Sequence, residues 1–83
     1  MTEEKVFEIV KESIGEILFD LDLSLVQPQH SLKELGANSI DRMEITVRAM
    51  EMLSLKIPLV EFGKVSNIQG LVDILLTQKK AAG

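Results

Sequence analysis

The chain has 83 residues, thirteen acids against nine bases for a formal charge of −4, and no cysteine. A chain this short supports one domain with one modest core, burying about 60% of the surface it exposes when unfolded, and leaves no room for a deep catalytic cavity. The composition excludes a disulfide framework and a thiolate metal site, and its acidity, with three Phe and no Tyr or Trp, argues against a nucleic-acid partner.

Apolar residues recur at helical spacing in three places. The spacing predicts a first helix from about Glu3 to Phe19, capped by Thr2 and started by Glu3 and Glu4. Its inner stripe is Val6, Val10, Ile14, Ile17 and Leu18, with Phe7 beside them. Gly15 is a weak point within it, costing about 1 kcal/mol against Ala. A long connection follows, from about Asp20 to Asn38, in which Pro28 breaks any helix. Within it, Ser31-Leu32-Lys33-Glu34 has capping-box spacing and predicts a single capped turn. A connection this long needs anchors. Leu21, Leu23, Leu25, Val26, Leu32 and Leu35 are the candidates, and Leu32 and Leu35 are expected to be largely buried.

The second helix is predicted from about Ser39 to Leu53. Ile40, Met43, Val47, Met50 and Leu53 fall on one face, which makes core positions of Met43 and Met50. Asp41, Arg42, Glu44, Arg48 and Glu51 fall largely elsewhere. Pro58 interrupts the chain, and a short helical turn is expected over Val60 to Lys64. Ser66 and Gln69 then stand at capping-box spacing before a last helix with Ile68, Leu71, Val72, Leu75 and Leu76 as its stripe. No segment alternates with period two, so no strand is expected. Three longer helices and one short one imply an all-α bundle. The domain is expected over residues 1–80, with 81–83 as a tail. The sequence has no 18-residue apolar run and no basic, apolar leader, so a cytoplasmic protein that neither spans a membrane nor carries a signal segment is expected.

The segment Leu35-Gly36-Ala37-Asn38-Ser39-Ile40-Asp41-Arg42-Met43-Glu44 joins the long connection to the second helix. Gly36 permits a turn, and a short polar residue follows to cap the helix. Ser39 falls at the helix N-terminus, where free backbone N–H groups and the helix dipole favour a phosphate ester on its hydroxyl. Read from the residues alone, Gly-x-Asn-Ser before a helix is first of all an N-cap. His30 is the only histidine. Nothing marks the third group or the oxyanion hole that a Ser39–His30 hydrolase would need, and a lone His among scattered carboxylates forms no metal site.

The Leu35–Glu44 segment resembles the attachment motif of acyl carrier proteins, Leu-Gly-x-Asp-Ser-Leu. The likeness extends through the acidic first helix, the loop with Pro28, Ser31-Leu32-Lys33-Glu34-Leu35-Gly36, Ile57-Pro58 and Asn67-Ile68-Gln69-Gly70-Leu71-Val72. It implies a four-helix carrier bundle with a long loop between helices 1 and 2. It also implies a 4'-phosphopantetheine arm from coenzyme A on Ser39, carrying an acyl group as a thioester. Ser39 is then an attachment site, and the chain is a carrier, not an enzyme, with no catalytic residue and no metal. The departure from the motif is Asn38, where the family usually has an acid. Asn keeps the cap and an oxygen ligand but loses the charge that helps the transferase place its metal and coenzyme A.

The resemblance further implies partners: a phosphopantetheinyl transferase, then acyltransferase, ketosynthase or HMG-CoA-synthase-like enzymes, met by a monomer. Docking is expected at Ile40, Asp41, Met43 and Glu44 on the second helix. Arg42 and Arg48 make that face less uniformly negative than in fatty-acid carriers, and Glu51 reads as plain surface. The Gly36-Ala37-Asn38-Ser39-Ile40-Asp41-Arg42 string is similar to that of discrete carriers of bacterial polyketide pathways, some of which serve a β-branching cassette. A fatty-acid carrier, or a helical interaction domain in which Ser39 only caps, are the alternatives.

Overall fold

The computed structural model describes residues 1–82. Three α-helices, α1 (Glu3–Ile17), α2 (Ser39–Met52) and α3 (Ile68–Ala82), are joined by loops with 3₁₀ turns at Leu23–Leu25 and Leu59–Phe62. No strand occurs among the described residues, and none of their helices is long and apolar enough to cross a membrane. The all-α architecture is the expected one, with a 3₁₀ turn in place of the short helix. α1 packs against both α2 and α3.

α1 opens where Thr2 Oγ1 accepts the Lys5 N–H at 3.2 Å. It stops at Ile17 and not at Phe19, because Leu18 leaves helical backbone (φ −109°, ψ 66°) and Phe19 is 81% exposed. Val6, Val10 and Ile14 are fully buried, while Phe7, Ile17 and Leu18 border the core. Ser13 is buried among them, and its hydroxyl donates to the Ile9 carbonyl at 3.0 Å, so no polar group is left unpaired there. Gly15 has a packing role: a Cβ at that position would lie 2.8 Å from Leu23 Cδ1, so the missing side chain lets the first 3₁₀ turn lie against the helix.

In the long loop, Val26 is buried and Leu21, Leu23, Leu32 and Leu35 pack half-buried against the core. Leu25 is 66% exposed and anchors nothing. Leu32 and Leu35 are less covered than expected, because each also lines an open surface hollow, Leu32 on one side of its turn and Leu35 on the other. The loop backbone serves the last helix directly. The carbonyls of Pro28 and His30 accept the N–H groups of Gln69 (2.8 Å) and Ile68 (2.9 Å). Asn67, and not Ser66, caps α3, its Oδ1 accepting the Gly70 N–H at 2.8 Å. The Gln69 side chain is drawn away to Glu3 and Asp73, at 2.8 Å each. α3 buries Ile68, Leu71, Val72 and Leu75 and continues through Ala82, past the expected start of the tail at 81; Gly83 lies outside the described residues.

α2 corrects the sequence reading most. Its buried residues are Ile45, Thr46, Ala49 and Met50, continued by Leu53. Met50 and Leu53 are in the core as expected. Ile40 (62% exposed), Met43 (48%) and Val47 (36%) are not. At 3.6 residues per turn these three lie roughly a third of a turn round from the centre of the inner face. That inner face is built partly of Ala49 and Thr46, small residues that carry little hydrophobic signal. The Thr46 hydroxyl is neutralised by donating to the Arg42 carbonyl at 2.9 Å. The helix closes with Ser54 in the left-handed region (φ 57°), the Leu55 N–H on the Met50 carbonyl (2.8 Å) and Lys79 Nζ on the Leu53 carbonyl (2.9 Å).

Candidate functional site

The approach to α2 is built from two consecutive capping boxes. In the first, the Ser31 N–H donates to Glu34 Oε1 (2.8 Å) and the Glu34 N–H to Ser31 Oγ (3.0 Å). The Ser31 backbone N–H and then its hydroxyl hold the Glu34 carboxyl below its usual range. Gly36, at φ 99°, reverses the chain where a side chain would be strained. The Ala37 N–H then closes the turn on the Leu32 carbonyl at 3.0 Å, and Ala37 itself is buried. In the second box, Asn38 Oδ1 accepts the Asp41 N–H (2.8 Å) and Asp41 Oδ2 accepts the Asn38 N–H (3.2 Å).

This arrangement separates the cap from Ser39. Asn38 is the N-cap, and Ser39 is the first helical residue, exposed to solvent. Its hydroxyl makes none of the capping bonds. It sits where the first-turn amides and the helix dipole favour an anion, so an ester-linked phosphate fits the position. Among the described residues, no group of three or more His, Asp or Glu side chains could hold a metal ion. His30 lies in the loop, its Nδ1 accepting the Gln27 N–H at 3.0 Å, and makes no hydrogen bond to Ser39.

Of the residues expected to dock partners, Ile40, Met43 and Glu44 are exposed, while Asp41 is half-buried and turned back into the cap. Arg48 faces α1, where its Nε meets Glu16 Oε2 at 2.6 Å. That hydrogen bond draws the Glu16 carboxyl down and the Arg48 guanidinium up from their ordinary values. Val60 (83% exposed) and Leu59 (44%), in the second 3₁₀ turn, are further exposed apolar residues that periodicity had not marked. The adjoining Pro58 was the available signal, since a turn after proline at the surface exposes whatever it carries. Between α2 and this turn lies a cavity of about 530 Å³, whose lining includes Leu32, Lys33, Arg42, Met43, Leu59 and Phe62.

The family model for the phosphopantetheine attachment site matches residues 4–75. This chain belongs to the acyl carrier protein family. Carrier proteins of this kind hold a covalently attached 4'-phosphopantetheine and act as carriers, not catalysts. Among relatives, a polyketide biosynthesis acyl-carrier-protein, AcpK, from Bacillus subtilis is 40% identical over 82 residues, covering 99% of this chain and all of that one. An acyl carrier protein from Cyanidioschyzon merolae is 32% identical over 98% of this chain and 89% of its own length. Among solved structures, a chain in the crystal structure of the curacin biosynthetic pathway HMG synthase in complex with acetyl donor-ACP superposes with a TM-score of 0.82. It is 42% identical, over 92% of this carrier and 96% of that chain.

Proposed function

We propose that Ser39 bears the 4'-phosphopantetheine arm and that the chain, as a carrier domain over residues 1–80, serves a polyketide pathway as an acyl donor to an HMG-synthase-like enzyme. One observation carries the site: the Asn38–Asp41 capping box completes the helix start without Ser39, leaving an exposed hydroxyl at the N-terminus of α2. The likeness to AcpK and to the acetyl donor-ACP chain supports the pathway.

The chemistry assigned to this chain is a single nucleophilic event. Ser39 Oγ attacks the coenzyme A pyrophosphate, a new P–O bond forms, the bond to 3',5'-ADP breaks, and the hydroxyl proton passes to a base on the transferase. The transferase supplies the magnesium. The arm then supplies a thiol for the acyl thioester, a group the cysteine-free chain lacks. From that point the chain presents cargo. A flexible tether keeps the thioester at high local concentration near each docked enzyme. The exposed Ile40, Met43 and Glu44 supply the contact surface, as a monomer in the cytoplasm. The test is incubation with coenzyme A and a promiscuous phosphopantetheinyl transferase, read by intact mass and peptide mapping. One arm on Ser39 is expected, with none on Ser39→Ala. An arm on the Ser39→Ala protein, or no arm on the wild type, refutes the assignment.

A further inference from the structure

The chain has two arginines, and they are used differently. Arg48 is paired with Glu16, its Nε 2.6 Å from Oε2. Arg42 is half-buried in an acidic chain, yet among the described residues it has no carboxylate within ion-pair distance. The neighbouring Asp41 is committed to the cap, its Oδ2 accepting the Asn38 N–H. The Arg42 side chain runs back along α2 instead, and its Nη1 donates to the Ala37 carbonyl at 3.4 Å. Helical side chains lean toward the helix N-terminus, and this one reaches past it, to the residue before the cap. Ser39 and Arg42 stand at i and i+3, a spacing that makes neighbours of their side chains, with Cβ atoms about 5–6 Å apart. The guanidinium is therefore at the same end of α2 as the Ser39 hydroxyl, which is exposed and takes no part in the capping box. The bond that holds it there is long, and its acceptor is neutral. A phosphate oxygen accepts a shorter, charge-assisted bond of roughly twice the strength.

We propose that Arg42 is the counter-ion of the arm: it leaves the Ala37 carbonyl and holds the phosphodiester once that group is attached to Ser39. The proposal rests on Ser39 as the attachment site. The phosphodiester brings a negative charge within reach of a guanidinium that has no anion of its own, and the planar fork can hold both free phosphate oxygens. A lysine in its place supplies the charge without the fork. Held at its root, the arm leaves α2 in a narrowed range of directions, while its outer part keeps its reach through rotatable bonds. Arg42 is then a positioning residue, which orients the arm and leaves the acyl group alone. The exchange also distinguishes the two forms of the carrier at the surface. The transferase meets an unpaired guanidinium, and every enzyme that docks afterwards meets a neutralised one.

The experiment loads the full chain, wild type and variants, from coenzyme A with a promiscuous transferase and confirms each product by intact mass and peptide mapping. Two signals are then read: the Arg42 Nε–H in ¹H–¹⁵N spectra and the ³¹P line of the phosphodiester. On loading of the wild type, the Arg42 Nε–H should move and the Arg48 Nε–H should stay. In loaded Arg42→Gln the ³¹P line should shift and narrow, because the phosphodiester gains freedom. Arg42→Lys should recover part of that change, and Arg48→Gln should leave the line as in the wild type. An Arg42 Nε–H that does not respond to loading overturns the proposal, and that comparison needs no variant to fold or to load. A ³¹P line unchanged in Arg42→Gln, or changed equally in Arg48→Gln, overturns it as well. Failure to add mass, or an arm mapped away from Ser39, shows in the mass data alone and removes the attachment reading on which the proposal rests.

Discussion

α1 and α2 are of nearly equal length, 15 and 14 residues, yet they distribute their apolar side chains in opposite ways. α1 buries Val6, Val10 and Ile14 completely and packs its other apolar residues, Phe7, Ile9 and Ile17, half-buried against the core. α2 turns Ala49 and Thr46 inward with Ile45 and leaves Ile40, Met43 and Val47 outside. A helix that only supports a fold has no reason to expose its larger apolar groups. One that must also meet other proteins keeps some uncovered, where they contribute to binding instead of to stability. The contrast is the one the proposed docking role requires, with α1 as scaffold and α2 as working surface.

The largest effect that could break this comparison is on stability. Ile14→Ala should cost about 2–5 kcal/mol, as for a fully buried aliphatic, whereas Ile40→Ala should stay within about 0.5 kcal/mol. Chemical denaturation of the two variants measures this directly. The loss in Ile40→Ala should appear as slower acyl transfer to a partner enzyme, and it should exceed the loss in Glu51→Gln, since an exposed ion pair contributes only about 0–1 kcal/mol. A stability loss in Ile40→Ala as large as that in Ile14→Ala would make α2 scaffold too.

A smaller effect concerns the start of the working helix. Asn38→Ala removes one side of the second capping box and should destabilise by about 1 kcal/mol, seen as a lower urea midpoint at an unchanged slope. Asn38→Asp should leave stability nearly intact, which isolates the influence of the missing charge on transferase loading. At the other end of α2, Ser54→Gly should stabilise by about 0.5 kcal/mol, because a left-handed backbone is costly for any residue with a Cβ. A loss of stability there would mean that the Ser54 side chain contributes a contact of its own.

The smallest effect is on acid stability. The Glu16 and Glu34 carboxyls are held below their ordinary value of 4.5 in the folded chain, by Arg48 and by Ser31 respectively. Their contributions are complete above that value and are lost as pH falls through the lowered folded values. Both side chains are exposed, so the decline in urea midpoint from about pH 5 downward should be shallow. It should be shallower still in Glu34→Gln. No change in slope for that variant would show that the first capping box holds no charge-dependent stability.

The same contrast explains what could be read from the sequence. The stripes of α1 and α3 were legible because large aliphatics face inward at regular spacing, and the Ser31–Glu34 box because its two residue types and their separation define its geometry. The inner face of α2 was misassigned because periodicity weighs bulk, and here the bulk faces out. The cap of α3 was misplaced by one residue. Ser66 and Gln69 have the right spacing, but Asn67 has the shorter path to Gly70, and Gln69 is drawn to Glu3 and Asp73. Ser39 came from its motif, while its freedom from capping needed the backbone. The cavity was illegible altogether, since Lys33, Arg42 and Phe62 come from three segments that only the fold brings together.

The two loop carbonyls that receive the first amides of α3 make distant parts of the chain open together. Ile68 and Gln69 belong to the last helix, yet their partners are His30 and Pro28, far earlier in the chain. When the loop lifts, the helix start loses its acceptors. When the helix start frays, the loop loses its fastening, and the Ser31 turn that leads into Ser39 loosens with it. Amide exchange at Ile68 and Gln69 is thus a remote gauge of order at Ser39, the proposed attachment residue, readable without any probe on the serine itself.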